Sequence, residues 1–88
     1  MSNIILFTLS ECEHCNSLKK RLSDLSINYN EIDVNKSDEV WDMVVSETGC
    51  DYVPITLIYD ENFDGFYIVP GKDYETEDEL IKMIEQHL

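Results

Sequence analysis

Six consecutive residues near the start, Ile4-Ile5-Leu6-Phe7-Thr8-Leu9, constrain the fold more than any other stretch of the sequence. The run is apolar almost throughout and rich in β-branched and aromatic side chains, and the polar Ser10-Glu11 stops it. Its longest fully apolar part, Ile4 to Phe7, is far shorter than the roughly 20 residues a membrane-spanning helix needs. A strand with apolar side chains on both faces must be covered on both faces. It therefore reads as the interior strand of a sheet with a layer on either side, the position of a central parallel strand.

The pattern then changes to helical period. Cys15, Leu18, Leu22 and Leu25 recur at spacings of three and four, while Lys19, Lys20 and Arg21 point elsewhere, which predicts a helix over about 13–25. A second strand is expected over 29–34, with Ile27, Ile32 and Val34 supplying apolar weight, and Asn35-Lys36-Ser37 reads as a turn. Ser37 can cap a second helix over 38–48 that offers Val40, Trp41, Val44 and Val45 to the core and ends at Thr48-Gly49. Strands follow at 55–59 and 66–69, joined by the turn-rich Asp60-Glu61-Asn62-Phe63-Asp64-Gly65. Thr76-Glu77-Asp78-Glu79 has the spacing of a capping box before Leu80, Ile81, Ile84 and Leu88, so a last helix is expected over 77–87. The order is βαβαββα. The opening strand–helix–strand unit calls for a right-handed crossover and a parallel pair, and the later hairpin adds antiparallel strands. The expectation is a mixed four-stranded sheet with three flanking helices, formed by residues 1–88 as one domain.

Charge narrows the function. Nineteen Asp and Glu face six Lys and Arg, giving a formal charge of −13 and a pI near 4.1. Phosphate neutralisation needs a basic face, so nucleic acid is not an expected partner, and an anionic membrane surface is excluded on the same ground. No basic segment leads into an apolar one as a secretory signal would, so the expected compartment is the cytoplasm. Self-repulsion at this charge favours a monomer.

Three cysteines are too few for a disulfide scaffold, and their spacing matters more than their number. Cys12 and Cys15 form a C-x-x-C, and Cys50 stands apart. By itself the motif reads as a redox pair, as half a zinc site, or as two buried thiols. Its place, where the first strand hands over to the first helix, favours redox chemistry. Cys12 falls at the first turn, where unpaired N–H groups and the helix dipole favour a thiolate. Cys15 sits one turn on, near enough to attack a mixed disulfide formed at Cys12. Glu11 and Glu13 flank Cys12 and oppose the dipole, a protonated His14 would work the other way, and the balance predicts a less acidic Cys12 thiol. Val53-Pro54 lies where a strand begins, and a proline there is either an ordinary strand start or a fixed bend, cis or trans.

These residues together resemble the glutaredoxin branch of the thioredoxin superfamily. The resemblance covers essentially the whole chain. It is carried by the strand Ile4–Thr8, the C-E-H-C at 12–15, the strand Tyr29-Asn30-Glu31-Ile32-Asp33-Val34, Thr48-Gly49, the Val53-Pro54 step and the C-terminal helix. It implies a thioredoxin-like α/β fold, no bound cofactor and no metal. It also implies thiol–disulfide oxidoreductase activity in electron transport and cell redox homeostasis, with glutathione as co-substrate. Cys12 would be the nucleophile and Cys15 the resolving thiol, with Pro54 in cis beside them. The Val53 backbone would pair with an extended substrate such as glutathione. Tyr52, His14, Glu77 and Asp78 are the further candidates for holding it, the last two at the γ-glutamyl end.

The chain also departs from the family pattern. Glu13-His14 stands where Pro-Tyr is usual, Tyr52 where Thr usually precedes Val-Pro, and Leu9-Ser10-Glu11 lacks the usual basic residue. Gly71 after Pro70 replaces a Gly-Gly pair. Expected partners are glutathione and disulfide-containing proteins. One alternative is an electron donor for ribonucleotide reductase, itself fed by a thioredoxin-type reductase. Another is an iron–sulfur or metal-binding form. Cys50 is either an idle thiol or a regulatory one, and Lys19-Lys20-Arg21 either a solvated face or a steering patch for anions.

Overall fold

The computed structural model describes residues 3–62 and 64–87. Phe63 and Leu88, assigned above to the hairpin connection and to the last helix, lie outside them. The elements run β1 (Asn3–Thr8), α1 (Glu13–Asp24), β2 (Asn30–Asp33), a one-turn 3-10 helix (Val34–Lys36), α2 (Asp38–Thr48), β3 (Ile55–Tyr59), β4 (Gly65–Ile68) and α3 (Glu77–Gln86). The sheet order is β2-β1-β3-β4. β1 is parallel to β2, with Phe7 beside Ile32, and antiparallel to β3, with Leu6 beside Thr56. β3 and β4 form the hairpin, with Tyr59 opposite Gly65. The mixed four-stranded sheet with three helices is the architecture expected from the sequence.

Side-chain alternation divides the interior in two. Ile4 and Leu6 of β1, Ile58 of β3 and Ile68 of β4 point to one face, where they meet Leu18 and Leu22 of α1 and Leu80, Ile81 and Ile84 of α3. Phe7 and Ile55 point to the other and pack with Val34 and with Val44 of α2. Val40, Trp41 and Cys50 add to that second cluster while staying partly exposed. β1 is interior, as its apolar run requires, but only half of its neighbourhood is parallel. Its Ile5 is half-buried, on the face covered by α2 and the 3-10 helix, beside a shallow opening bounded by Ile5, Leu57, Tyr67 and Glu47.

Caps and turns behave mostly as the residue types dictate. Gly49 ends α2 with φ +69°, the left-handed conformation that costs glycine least. Gly65 answers a different need. A Cβ there would stand 2.5 Å from the Ile58 carbonyl oxygen, so only a hydrogen lets the β3–β4 strands approach. The Thr76 hydroxyl accepts from the Glu79 N–H at 3.3 Å, half of the expected capping box, while the Glu79 carboxylate turns to the Thr76 hydroxyl. Ser37 occupies the N-cap of α2 without a side-chain cap bond. The segment read as a turn at 35–37 is largely the 3-10 helix, whose N-cap Asp33 accepts from the Asn35 N–H at 2.9 Å.

Polar groups inside are paired, with one exception among the described residues. The buried Thr8 hydroxyl donates to Glu31 at 2.5 Å, and Lys19 reaches the same carboxylate oxygen at 2.8 Å. These two bonds, the Lys19 one foremost, hold the Glu31 carboxyl below the usual range against a small opposing effect of burial. Thr56, fully buried between Leu6 and Ile68, has a hydroxyl with no partner. An unsatisfied buried hydroxyl costs about 1–3 kcal/mol. Thr56→Val is therefore expected to raise stability by about 1 kcal/mol in urea unfolding, and a loss of stability would show that the hydroxyl is engaged.

Candidate functional site

The site lies where β1 ends and α1 begins. The Cys12 N–H donates to the Leu9 carbonyl at 3.1 Å, which closes the turn between the two elements. Cys12 is the N-cap of α1, with extended backbone angles, and its sulfur accepts the Cys15 N–H at 3.1 Å. One of the unpaired donors of the helix start thus points at that sulfur, an arrangement that stabilises negative charge there. Cys12 and Cys15 are joined as a disulfide, with Cα atoms 5.2 Å apart. Their exposures differ. Cys12 is partly exposed, while Cys15, on the inner face of α1, is fully buried. A reactant arriving from solvent meets Cys12 first.

The loop before β3 forms the opposite wall. The Val53–Pro54 peptide is cis, and the Val53 carbonyl oxygen lies 4.0 Å from the Cys12 sulfur. Beside it runs a groove of about 360 Å³. Its floor and sides are Leu18 and His14 of α1, Val53 and Pro54 of the loop, Pro70, Tyr74 and Glu75 of the segment before α3, and Glu77 and Leu80 of α3 itself.

Of the residues expected to hold a substrate, His14, Val53, Pro54 and Glu77 come together in this groove. Tyr52 and Asp78 do not line it. The Tyr52 side chain is 71% exposed. Asp78 instead takes the Arg21 guanidinium at 2.7 Å, and Glu77 lies 3.5 Å from the same guanidinium. Glu77 also accepts from the Ser17 hydroxyl, at 2.9 and 3.2 Å to its two oxygens. This knot ties α1 to the start of α3 across sixty residues of sequence. It also means that Lys19 and Arg21, two of the three clustered cations on α1, are engaged with carboxylates.

Tyr74 and Glu75 are groove residues that the sequence did not single out, and Tyr74 is the buried one. A tight turn holds Tyr74 in place. Asp73 accepts the Val69 N–H at 2.7 Å, the Asp73 N–H donates to the Val69 carbonyl at 2.9 Å, and the Gly71 N–H donates to the Tyr74 carbonyl at 2.8 Å. Burial, and after it the charges of Cys50, Glu77 and Asp73, push the Tyr74 phenol up to about 12. It stays protonated through the neutral range and remains a hydrogen-bond donor. A Pro-Gly pair followed by an aromatic residue just ahead of a helix was the available signal, and it reads equally well as an ordinary loop. Cys50 sits ahead of the cis step. Its sulfur accepts the Tyr52 N–H at 3.4 Å, and the residue packs against the second core cluster.

Glu11 and Glu13 are exposed on either side of Cys12. In the reduced protein their charges oppose the helix end, so Glu11→Gln with Glu13→Gln is expected to move the Cys12 thiol titration to lower pH. An unchanged or higher midpoint would contradict that.

A mixed sheet in the order β2-β1-β3-β4, with helices on both faces and a cysteine pair at the first helix facing a cis-proline loop, is a thioredoxin-like α/β fold. Within that fold the chain belongs to the glutaredoxin family, whose model matches residues 4–63. The structure is similar to a buckwheat glutaredoxin in complex with glutathione. That match has 18% identity and a TM-score of 0.62, and covers 97% of this chain and 70% of the other. It is similar to the holo form of glutaredoxin C1 from Populus tremula x tremuloides, at 19% identity and TM-score 0.60, covering 94% and 74% of the two chains. It is also similar to the thioredoxin of Malassezia sympodialis, at 17% identity and TM-score 0.65, covering 98% and 76%. At these identities the likeness is one of fold. No curated protein sequence matches the chain. Family membership and the Cys12–Cys15 pair indicate thiol–disulfide oxidoreductase chemistry. Among the described residues, no group of three His, Cys, Asp or Glu side chains is arranged to hold a metal ion, and no helix is long and apolar enough to cross a membrane.

Proposed function

We propose that this chain reduces protein disulfides and glutathione mixed disulfides, with Cys12 as nucleophile, Cys15 as resolving thiol and glutathione as co-substrate. The observation that carries the reading is the unequal placement of the two sulfurs. The Cys12 sulfur is reachable at a helix N-cap, facing the Val53 carbonyl, and Cys15 is fully buried one turn behind it. In the reduced enzyme the Cys12 thiolate attacks one sulfur of the substrate disulfide. A Cys12–substrate disulfide forms, the substrate S–S bond breaks, and the departing thiolate takes a proton. The Cys15 thiolate then attacks the Cys12 sulfur, which restores the Cys12–Cys15 disulfide and leaves the substrate reduced by two electrons. Two equivalents of glutathione return the enzyme to the dithiol and leave as glutathione disulfide. The extended substrate lies along Val53 and Pro54, with its γ-glutamyl end toward Glu77 and the start of α3. The reaction serves cytoplasmic electron transport and redox homeostasis.

A second reading has one observation in its favour. Arg21 and Ser17 already engage Glu77 and Asp78 at the start of α3, which would meet the γ-glutamyl end. A thioredoxin-type reductase could then be the electron source and ribonucleotide reductase the recipient. Turnover of a mixed disulfide with glutathione plus glutathione reductase, and separately with a thioredoxin reductase, distinguishes the two. The first reading expects the glutathione arm to be the faster. Activity in the reductase arm alone would favour the second, and none in either would overturn both.

A further inference from the structure

The groove includes Val53, whose carbonyl oxygen lies 4.0 Å from the Cys12 sulfur, though neither Cys12 nor Cys15 lines it, and it is charged in one sense. Its apolar walls are Leu18, Pro70, Tyr74 and Leu80, and the carboxylates among its lining are Glu75 and Glu77. No lysine or arginine lines it, and His14 is its one basic side chain. Arg21 directs its guanidinium to Asp78 and Glu77, and Lys19 is bound to Glu31. Lys72 is exposed on the turn that carries Tyr74 and is not part of the lining. Glu77 is partly compensated by Arg21 and Ser17. Glu75 is exposed, and no hydrogen bond or ion pair engages its carboxylate among the described residues. Glu11 and Glu13 extend the same sign past Cys12, within a chain of net charge −13.

We propose that the groove selects disulfides whose cysteine is flanked by cationic and apolar residues, with Glu75 as the specificity-determining carboxylate. The inference rests on the exchange chemistry proposed above and names its preferred substrate class. A basic flank gains from the field of the groove on approach and from Glu75 once docked, while apolar residues fill the wall between Leu18 and Tyr74. An acidic flank meets uncompensated like charge. A steered encounter of this kind raises the association rate by about 10-fold or more at low ionic strength. The effect is screened as the Debye length falls from about 30 Å at 0.01 M salt to about 3 Å at 1 M.

The test uses three peptides, each carrying one cysteine in mixed disulfide with 2-mercaptoethanol. They differ only in having lysine, glutamine or glutamate on either side of the cysteine. With the dithiol regenerated by the electron donor that supports turnover in the assay above, kcat/KM of the wild-type protein is expected to fall in the order lysine, glutamine, glutamate, with a lysine-to-glutamate ratio of about 10 at low salt that approaches unity near 1 M. Most of the difference should lie in KM. Glu75→Gln should cut the ratio several-fold, and Glu75→Lys should bring it to unity or below. Equal rates for the three peptides, with the glutamine peptide still turned over through Cys12, would overturn the inference and leave the exchange reading standing. Failure to reduce the glutamine peptide would overturn the exchange reading itself. A ratio that holds in Glu75→Lys would remove Glu75 from the account.

Discussion

Cys12→Ser should abolish turnover of every disulfide substrate, a loss of at least about 10³-fold in kcat/KM, because a serine hydroxyl at neutral pH is neither ionised nor nucleophilic enough to attack sulfur. The N-cap geometry should survive the change, since serine caps helices well and its oxygen can take the Cys15 N–H that the sulfur now takes. The folded state is therefore expected to be intact, and the loss can be assigned to chemistry. Cys15→Ser should behave differently. Its first step is untouched, so a glutathione mixed disulfide can still be turned over when a second glutathione releases the adduct. Reduction of a protein disulfide, which needs the intramolecular attack, should stall as a covalent complex. The contrast between the two variants is more informative than either loss alone. Substantial activity in Cys12→Ser would mean that the reachable sulfur is not the nucleophile.

Leu6→Ala is expected to cost about 3–5 kcal/mol of stability. Leu6 is completely buried in the interior strand, between a parallel and an antiparallel neighbour, and shares its cluster with Leu18, Leu22 and Ile84. Helices from two different parts of the chain close over it, so collapse around a smaller side chain would have to move both. For a domain of this length, each kcal/mol corresponds to about 4–8 °C in Tm, so the variant should melt roughly 12–40 °C below the parent. That is a large share of the 5–15 kcal/mol that folded domains typically hold. A change within about 0.5 kcal/mol, the range of ordinary surface substitutions, would contradict the burial of Leu6 beneath α1 and α3.

The elements were legible because apolar periodicity records which faces are covered. The helix at 38–48 and the strand at 55–59 stand where the pattern places them, and the helix at 13–25 ends one residue early, at Asp24. β1 is shifted by one residue, to Asn3–Thr8, because the polar Asn3 pairs with Tyr59 at the edge of the ladder and Leu9 turns away toward α1. What periodicity cannot record is which loop folds back onto which helix. The Arg21–Asp78 and Ser17–Glu77 contacts join positions about sixty residues apart, and nothing local to either marks them. Tyr74 became a groove wall through the same long-range closure, and Tyr52, adjacent in sequence to the Val-Pro step, turned outward. The cysteine pair was legible because its chemistry needs only a strand, a turn and a helix start, all of them local.

The central claim is that Cys12, and not Cys15 or Cys50, receives the substrate sulfur. Its most direct test is to react reduced Cys15→Ser with a glutathionylated peptide, trap the covalent intermediate in acid and map the modified cysteine by mass spectrometry. The account predicts an adduct on Cys12. An adduct confined to Cys50, or none at all, would contradict it.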